Sequence, residues 1–79
     1  MLKQIHHDGY HRIVDQLRST RRSLGMTQAD VAEKVGASRA WIVKVEQCEL
    51  SLDLLHLAML CRVYGLKTED LVGMLEHGR

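Results

Sequence analysis

Seventy-nine residues with a formal net charge of +1, two cysteines, no proline and no phenylalanine bound a single small domain whose core is marginal in isolation. Leu, Val, Ala and Met are abundant and no alternating β-branched run occurs, so the chain reads as all-α. The apolar stretch Leu54 to Leu60 contains His56 and is too short to span a bilayer, while Lys3, His6, His7 and Asp8 interrupt any signal-peptide core; the expected setting is cytoplasmic, where Cys48 and Cys61 stay thiols.

Met1 to Gly9 has weak periodicity and two adjacent histidines, and is expected to be a short N-terminal arm, with residues 10–79 forming the domain. From Tyr10 to Leu24, the residues Ile13, Val14, Leu17 and Leu24 mark the core stripe of a first helix that Gly25 ends. Arg18, Arg21 and Arg22 fall on its more polar side, open either to solvent or to phosphates. Thr27 then stands where its hydroxyl can cap the backbone N–H of Asp30, and Thr-x-x-Asp is a near variant of the capping box. A second helix accordingly starts near Gln28, with Val31, Ala32 and Val35 on one buried stripe and Asp30, Glu33 and Lys34 outward. Gly36 closes it as a left-handed C-cap. Ser38 is the next N-cap, and in the third helix Ile42 and Val45 make a narrow apolar stripe from which Arg39, Ala40, Val43 and Lys44 point away.

A fourth helix is expected over Leu52 to Tyr64, with Leu54, Leu55, Ala58, Cys61 and either Leu57 or Met59 directed at the core. The fifth begins after Thr68, with Glu69 and Asp70 near the positive end of its dipole. Its apolar residues Leu71, Val72, Met74 and Leu75 exceed what one stripe of so short a helix can bury. Two buried faces are therefore expected, one in the core and one against a second copy of the chain. The other reading makes Met74 and Leu75 a frayed, partly exposed end.

Two short helices on a tight turn form a unit that can insert its second helix into the major groove of DNA. A rotation of about 100° per residue brings Arg39, Ala40, Val43 and Lys44 into one arc, with Arg39 and Ala40 at its N-terminal end. Arginine can bond O6 and N7 of guanine together, lysine can take either acceptor or a phosphate, and Ala40 or Val43 can touch a thymine methyl. The alternative is that Arg39 and Lys44 are solvated helix charges. Charge distribution favours the first reading: Arg12 to Lys44 carries seven basic residues against three acidic, whereas Val45 to Arg79 carries three basic against six acidic.

The segments LRSTRRSLGMTQADVAEKVGASRAWIVKVE and LDLLHLAMLCRVYGLKTEDLV resemble, in order and spacing, the five helices of the Xre, Cro and lambda-repressor-like helix-turn-helix family. The resemblance runs from Tyr10 to Leu75 and implies a five-helix lambda-repressor-like domain. It further implies that Gln28 bonds a DNA phosphate and supports Arg39, that Arg39, Ala40 and Lys44 read bases, and that Trp41 meets the DNA backbone. Ser38 and Val43 complete the expected DNA-binding set. Cys48 occupies a place where the family often has Gly, and a Cβ makes positive φ costly there. Basic loop residues of some relatives are replaced by Leu50 and Ser51.

The function so implied is that of a sequence-specific transcriptional regulator, an autoregulating repressor or controller that binds double-stranded DNA at a pseudo-palindromic operator as a homodimer. Leu71, Val72, Met74 and Leu75 would form its dimer face, and RNA polymerase is a further expected contact. The alternative is an antitoxin or adaptor that holds a partner protein through its C-terminal helix. His6, His7 and His11 lack an acidic or thiol ligand at a standard local spacing, so no metal is expected. No catalytic constellation or cofactor site has a supporting context, and an enzyme is not expected. Cys48, in the loop after the third helix, is expected to be exposed and open to oxidation.

Overall fold

Capping chemistry sets the helix ends. The computed structural model describes residues 7–76, which form α1 (Asp8–Ser23), α2 (Gln28–Val35), α3 (Arg39–Glu46), α4 (Leu54–Tyr64) and α5 (Thr68–Glu76). Thr27 and Asp30 make a complete capping box: the Asp30 N–H donates to Thr27 Oγ1 at 3.0 Å, and the Thr27 N–H to Asp30 Oδ2 at 2.9 Å. Ser38 Oγ accepts from Trp41 N–H at 3.1 Å, and Asp53 Oδ1 from His56 N–H at 2.7 Å. Gly36 ends α2 with φ of 71°, a conformation that glycine adopts without the Cβ penalty. The chain then needs only Ala37 and Ser38 to enter α3.

Two helix starts differ from expectation. The first helix begins at Asp8, before Tyr10, because the ring Nδ1 of His7 accepts from Tyr10 N–H at 3.1 Å; imidazole lies outside the usual capping set, so the sequence gives little warning. Residues 1–6 of the expected arm lie outside the described residues. The fourth helix begins at Leu54 and not at Leu52, since the Asp53 cap fixes its start.

Eleven residues drawn from all five helices make the main core: Ile13 and Leu17; Val31, Ala32 and Val35; Ile42; Leu57, Leu60, Cys61 and Tyr64; and Leu71. Each fully buried aliphatic side chain of this kind contributes about 1.5–3 kcal/mol. The stripe of α4 is thus Leu57, Leu60, Cys61 and Tyr64. Leu54 and Leu55, expected inside, are 69% and 67% exposed, and Ala58 is exposed as well. Leu55 falls on the side of α4 opposite that stripe, while Leu54, three residues before Leu57, lies at the stripe's open end in the first turn. Leu24, also expected in the core, lies beyond the end of α1 and is exposed.

A smaller cluster of Tyr10, Val14 and Cys48, with Leu52 against it, supports the loop between α3 and α4. The Tyr10 hydroxyl donates to Leu50 O at 3.0 Å and accepts from Leu52 N–H at 3.1 Å. Cys48 adopts φ of 58° in spite of its Cβ and is buried, which corrects the exposed, oxidisable thiol expected there. Burial and then Asp15 push its pKa up, so the reactive thiolate is disfavoured.

The N-terminal turn of α1 crosses α5 closely. Gly9 is buried, and a Cβ added to it would lie 2.5 Å from Met74 O and 3.0 Å from Leu75 Cα. Only glycine permits this approach. Leu71, expected on an intermolecular face, is 2% exposed and sits in the protomer's own core, so it cannot line a surface. Among the described residues, no helix is long and apolar enough to cross a membrane.

Candidate nucleic-acid interface

α3 has two chemically opposite sides. Ile42, Val45 and Glu46 are buried, whereas Ser38, Arg39, Ala40 and Lys44 are exposed and Val43 and Trp41 are half-buried. The expected reading residues therefore share the accessible side of one helix, with Ser38 fixed at its cap. That helix is pinned from behind. Arg21 donates from Nε to Glu46 Oε2 at 2.7 Å and from Nη2 to Glu46 Oε1 at 3.0 Å, with a third bond from Nη1 to Met26 O at 2.9 Å. Arg18 donates from Nη1 to Glu46 O at 2.9 Å and from Nη2 to Asp15 Oδ1 at 2.7 Å.

The Arg21–Glu46 pair is a bidentate ion pair with side-chain exposures of 10% and 7%. Its hydrogen bonds raise the Arg21 pKa above its ordinary value, keeping the guanidinium charged. Tyr64 packs into the same region, and burial followed by the Glu46 charge pushes its hydroxyl up to about 12. The pair locks the C-terminal end of α3 to α1, so the accessible side of α3 is presented on a fixed support.

The sequence pattern alone puts Arg21 on the more polar side of α1 and assigns Glu46 no role. The signal was available in the periodicity. Arg21 follows Leu17 by four, Glu46 follows Ile42 by four, and both fall on core stripes. Opposite charges on two core stripes imply a buried pair.

Gln28 occupies the first position of α2, where its Nε2 donates to Glu46 Oε1 at 3.1 Å. Its hydrogen bond thus runs to the buried carboxylate and not to Arg39. Trp41 packs partly against the main core and meets His56 of α4, with ring centroids 5.0 Å apart and planes inclined by 48°. Lys44 lies one turn beyond Ala40 on the accessible side. Leu50 is half-buried and Ser51 exposed in the loop that follows. Of the histidines considered for a metal, His6 lies outside the described residues, and no three His, Cys, Asp or Glu side chains among those described are placed to hold an ion.

Residues 12–73 match the sequence profile of the helix-turn-helix domain. Among solved structures, an XRE-family like protein from Pseudomonas syringae pv. tomato superposes with a TM-score of 0.76 at 29% identity, covering 87% of this chain and 84% of that one. The clp gene regulator ClgR from Corynebacterium glutamicum gives 0.73 at 22% identity, over 87% and 90% of the two chains. The restriction-modification controller protein C.AhdI from Aeromonas hydrophila gives 0.71 at 24%, over 82% and 99%. A curated relative, the isomerizing glutamine–fructose-6-phosphate aminotransferase of Methanocaldococcus jannaschii, is 36% identical over 61 residues. This chain spans 6% of that enzyme's length.

Proposed function

The chain belongs to the helix-turn-helix domain family and is a DNA-binding regulator of the XRE type, and from that premise we propose that it represses transcription, its own included, by occupying a pseudo-palindromic operator as a homodimer. The observation that carries this reading is the two-sided α3: Arg39, Ala40 and Lys44 lie free on one side while Glu46 is clamped by Arg18 and Arg21 on the other. A reading helix must offer hydrogen-bonding side chains to base edges and hold them still while it does so. Arg39 is assigned to a guanine, Lys44 to a base or a phosphate, and Ala40 with Val43 to thymine methyls. Ser38 sits at the helix N-terminus, where backbone N–H groups favour a phosphate.

The dimer face is assigned to α5 through Val72, Met74 and Leu75, without Leu71. Leu75 is 40% exposed, and apolar surface of this kind is most simply covered by another copy of the chain. In this proposal repression is steric, through occupation of the operator, and activation would take the form of direct contact with RNA polymerase. The exposed Leu54 and Leu55 support a second reading, in which a partner protein docks on the first turn of α4.

Selection from random duplex DNA at about physiological salt tests the proposal. The unmodified protein is expected to enrich a two-fold symmetric site, and Arg39→Ala/Lys44→Ala to lose it. Arg39→Ala alone is expected to cost about 1–3 kcal/mol and to relax one guanine per half-site. Enrichment of no site by the folded protein would sink the operator reading and favour the docking of a partner protein.

A further inference from the structure

Trp41 is the third residue of α3 and lies in the same turn as Arg39 and Ala40. Its backbone N–H is tied to Ser38 Oγ at 3.1 Å, so the indole is carried by the capped first turn of the helix. The residue is half-buried and packs against the main core. His56 meets it from α4 with a centroid separation of 5.0 Å, inside the range at which aromatic rings attract.

The His56 ring is itself held. Its Nδ1 lies 2.8 Å from Asp53 Oδ1 and 2.9 Å from Oδ2, so Nδ1 carries a proton and donates it to the carboxylate. The same Asp53 Oδ1 accepts the His56 backbone N–H at 2.7 Å. One carboxylate thus starts α4 and orients the ring that meets Trp41. His56 and Asp53 keep side-chain exposures of 38% and 64%, so they bury little core of their own.

We propose that His56 is a positioning residue of the reading face: by fixing the indole of Trp41 it sets the first turn of α3, so that base discrimination by Arg39 depends on a side chain of a different helix. The role rests on the DNA-reading function proposed above. His56 needs no contact with DNA. Asp53 is the charged group that touches it, and α3 meets it with the uncharged Trp41 while Arg39 and Lys44 are exposed on that helix.

Trp41 is the single tryptophan of the chain, so its emission reports the ring contact directly. The experiment compares the full chain with His56→Ala and His56→Phe, recording tryptophan emission, thermal melting, and affinity for the selected operator against single-base variants at the Arg39 position. His56→Ala is expected to shift the emission and to reduce discrimination at that base by about three- to tenfold, the size of one aromatic pair. His56→Phe, which keeps a ring at this position but loses the Nδ1 bond to Asp53, is expected to lie between wild type and His56→Ala in both readouts. Unchanged emission or unchanged discrimination in His56→Ala, in a protein that still binds the operator, would overturn the role of His56 alone. A phenyl variant no better than His56→Ala in both readouts would do the same, since a ring at this position is the contact proposed. A wild-type protein that selects no sequence would instead remove the reading function, and this role with it. Should His56→Ala not fold, His56→Gln replaces it, with the same two readouts deciding.

Discussion

Glu46 joins more of the molecule than any other side chain on α3, receiving Arg21 twice and Gln28 once while its carbonyl receives Arg18. Removing one partner of a buried pair leaves the other charge desolvated. Glu46→Gln is accordingly expected to destabilise the fold by about 3–5 kcal/mol, a large share of the stability of a small domain. Arg21→Met/Glu46→Leu, which removes both charges, should recover much of the loss; urea midpoints for the two variants decide, and equal losses would count against the pair. A second residue-scale effect concerns acid. The Thr27 backbone N–H and hydroxyl hold the Asp30 carboxyl below its ordinary value. A depressed carboxylate stabilises the fold above its unfolded value near pH 4 and loses that contribution as pH falls through the lower folded value. Asp30→Asn keeps a capping oxygen but cannot titrate, so its urea midpoint should fall less steeply than wild type below about pH 4. Identical acid limbs would show that the capping box carries none of the pH dependence.

At the level of elements, the crossing of α1 and α5 depends on the missing side chain of Gly9. Gly9→Ala would drive a Cβ against a backbone carbonyl of α5, which cannot rotate away as a side chain can. The expected loss is about 1–3 kcal/mol, with faster amide exchange in α5; an unchanged melt would mean that α5 shifts freely. How much of this architecture can be read beforehand follows from the range of each interaction. α2 and α3 are legible because Thr27, Gly36 and Ser38 act within three or four residues of themselves. The accessible arc of Arg39, Ala40 and Lys44 follows from the same periodicity. The start of α4 is less legible because Asp53, and not the apolar Leu52 before it, decides the first turn; with six apolar residues among the first seven of the helix, the pattern does not single out Leu57 and Leu60 over Leu54 and Leu55. Gly9 and the contact between Trp41 and His56 join residues far apart in sequence, and no local pattern announces them. Cys48 shows the converse: the Cβ penalty was correctly identified, yet the buried contacts with Tyr10 and Val14 outweigh it.

For the whole molecule, the proposed homodimer has to bring two α3 helices to one stretch of DNA. The described residues extend 31 × 31 × 22 Å, so two protomers side by side can set their α3 helices close to the roughly 34 Å of one DNA turn. On the proposed α5 interface, Leu75→Glu is expected to sediment as a monomer where the unmodified chain sediments as a dimer, and to bind operator far more weakly, as loss of paired half-sites requires. If Leu54→Glu/Leu55→Glu separates the protomers and Leu75→Glu does not, the interface lies on α4. One consequence of the two-sided α3 reaches beyond this chain. The groups that keep the helix in place, Ile42, Val45 and Glu46, and those proposed for base edges, Arg39, Ala40, Val43 and Lys44, share no position. If these latter groups read bases as proposed, target preference can drift at their positions while Ile42, Val45 and Glu46 go on holding the helix. A domain partitioned in this way can acquire new binding sites over generations without first passing through an unstable ancestor.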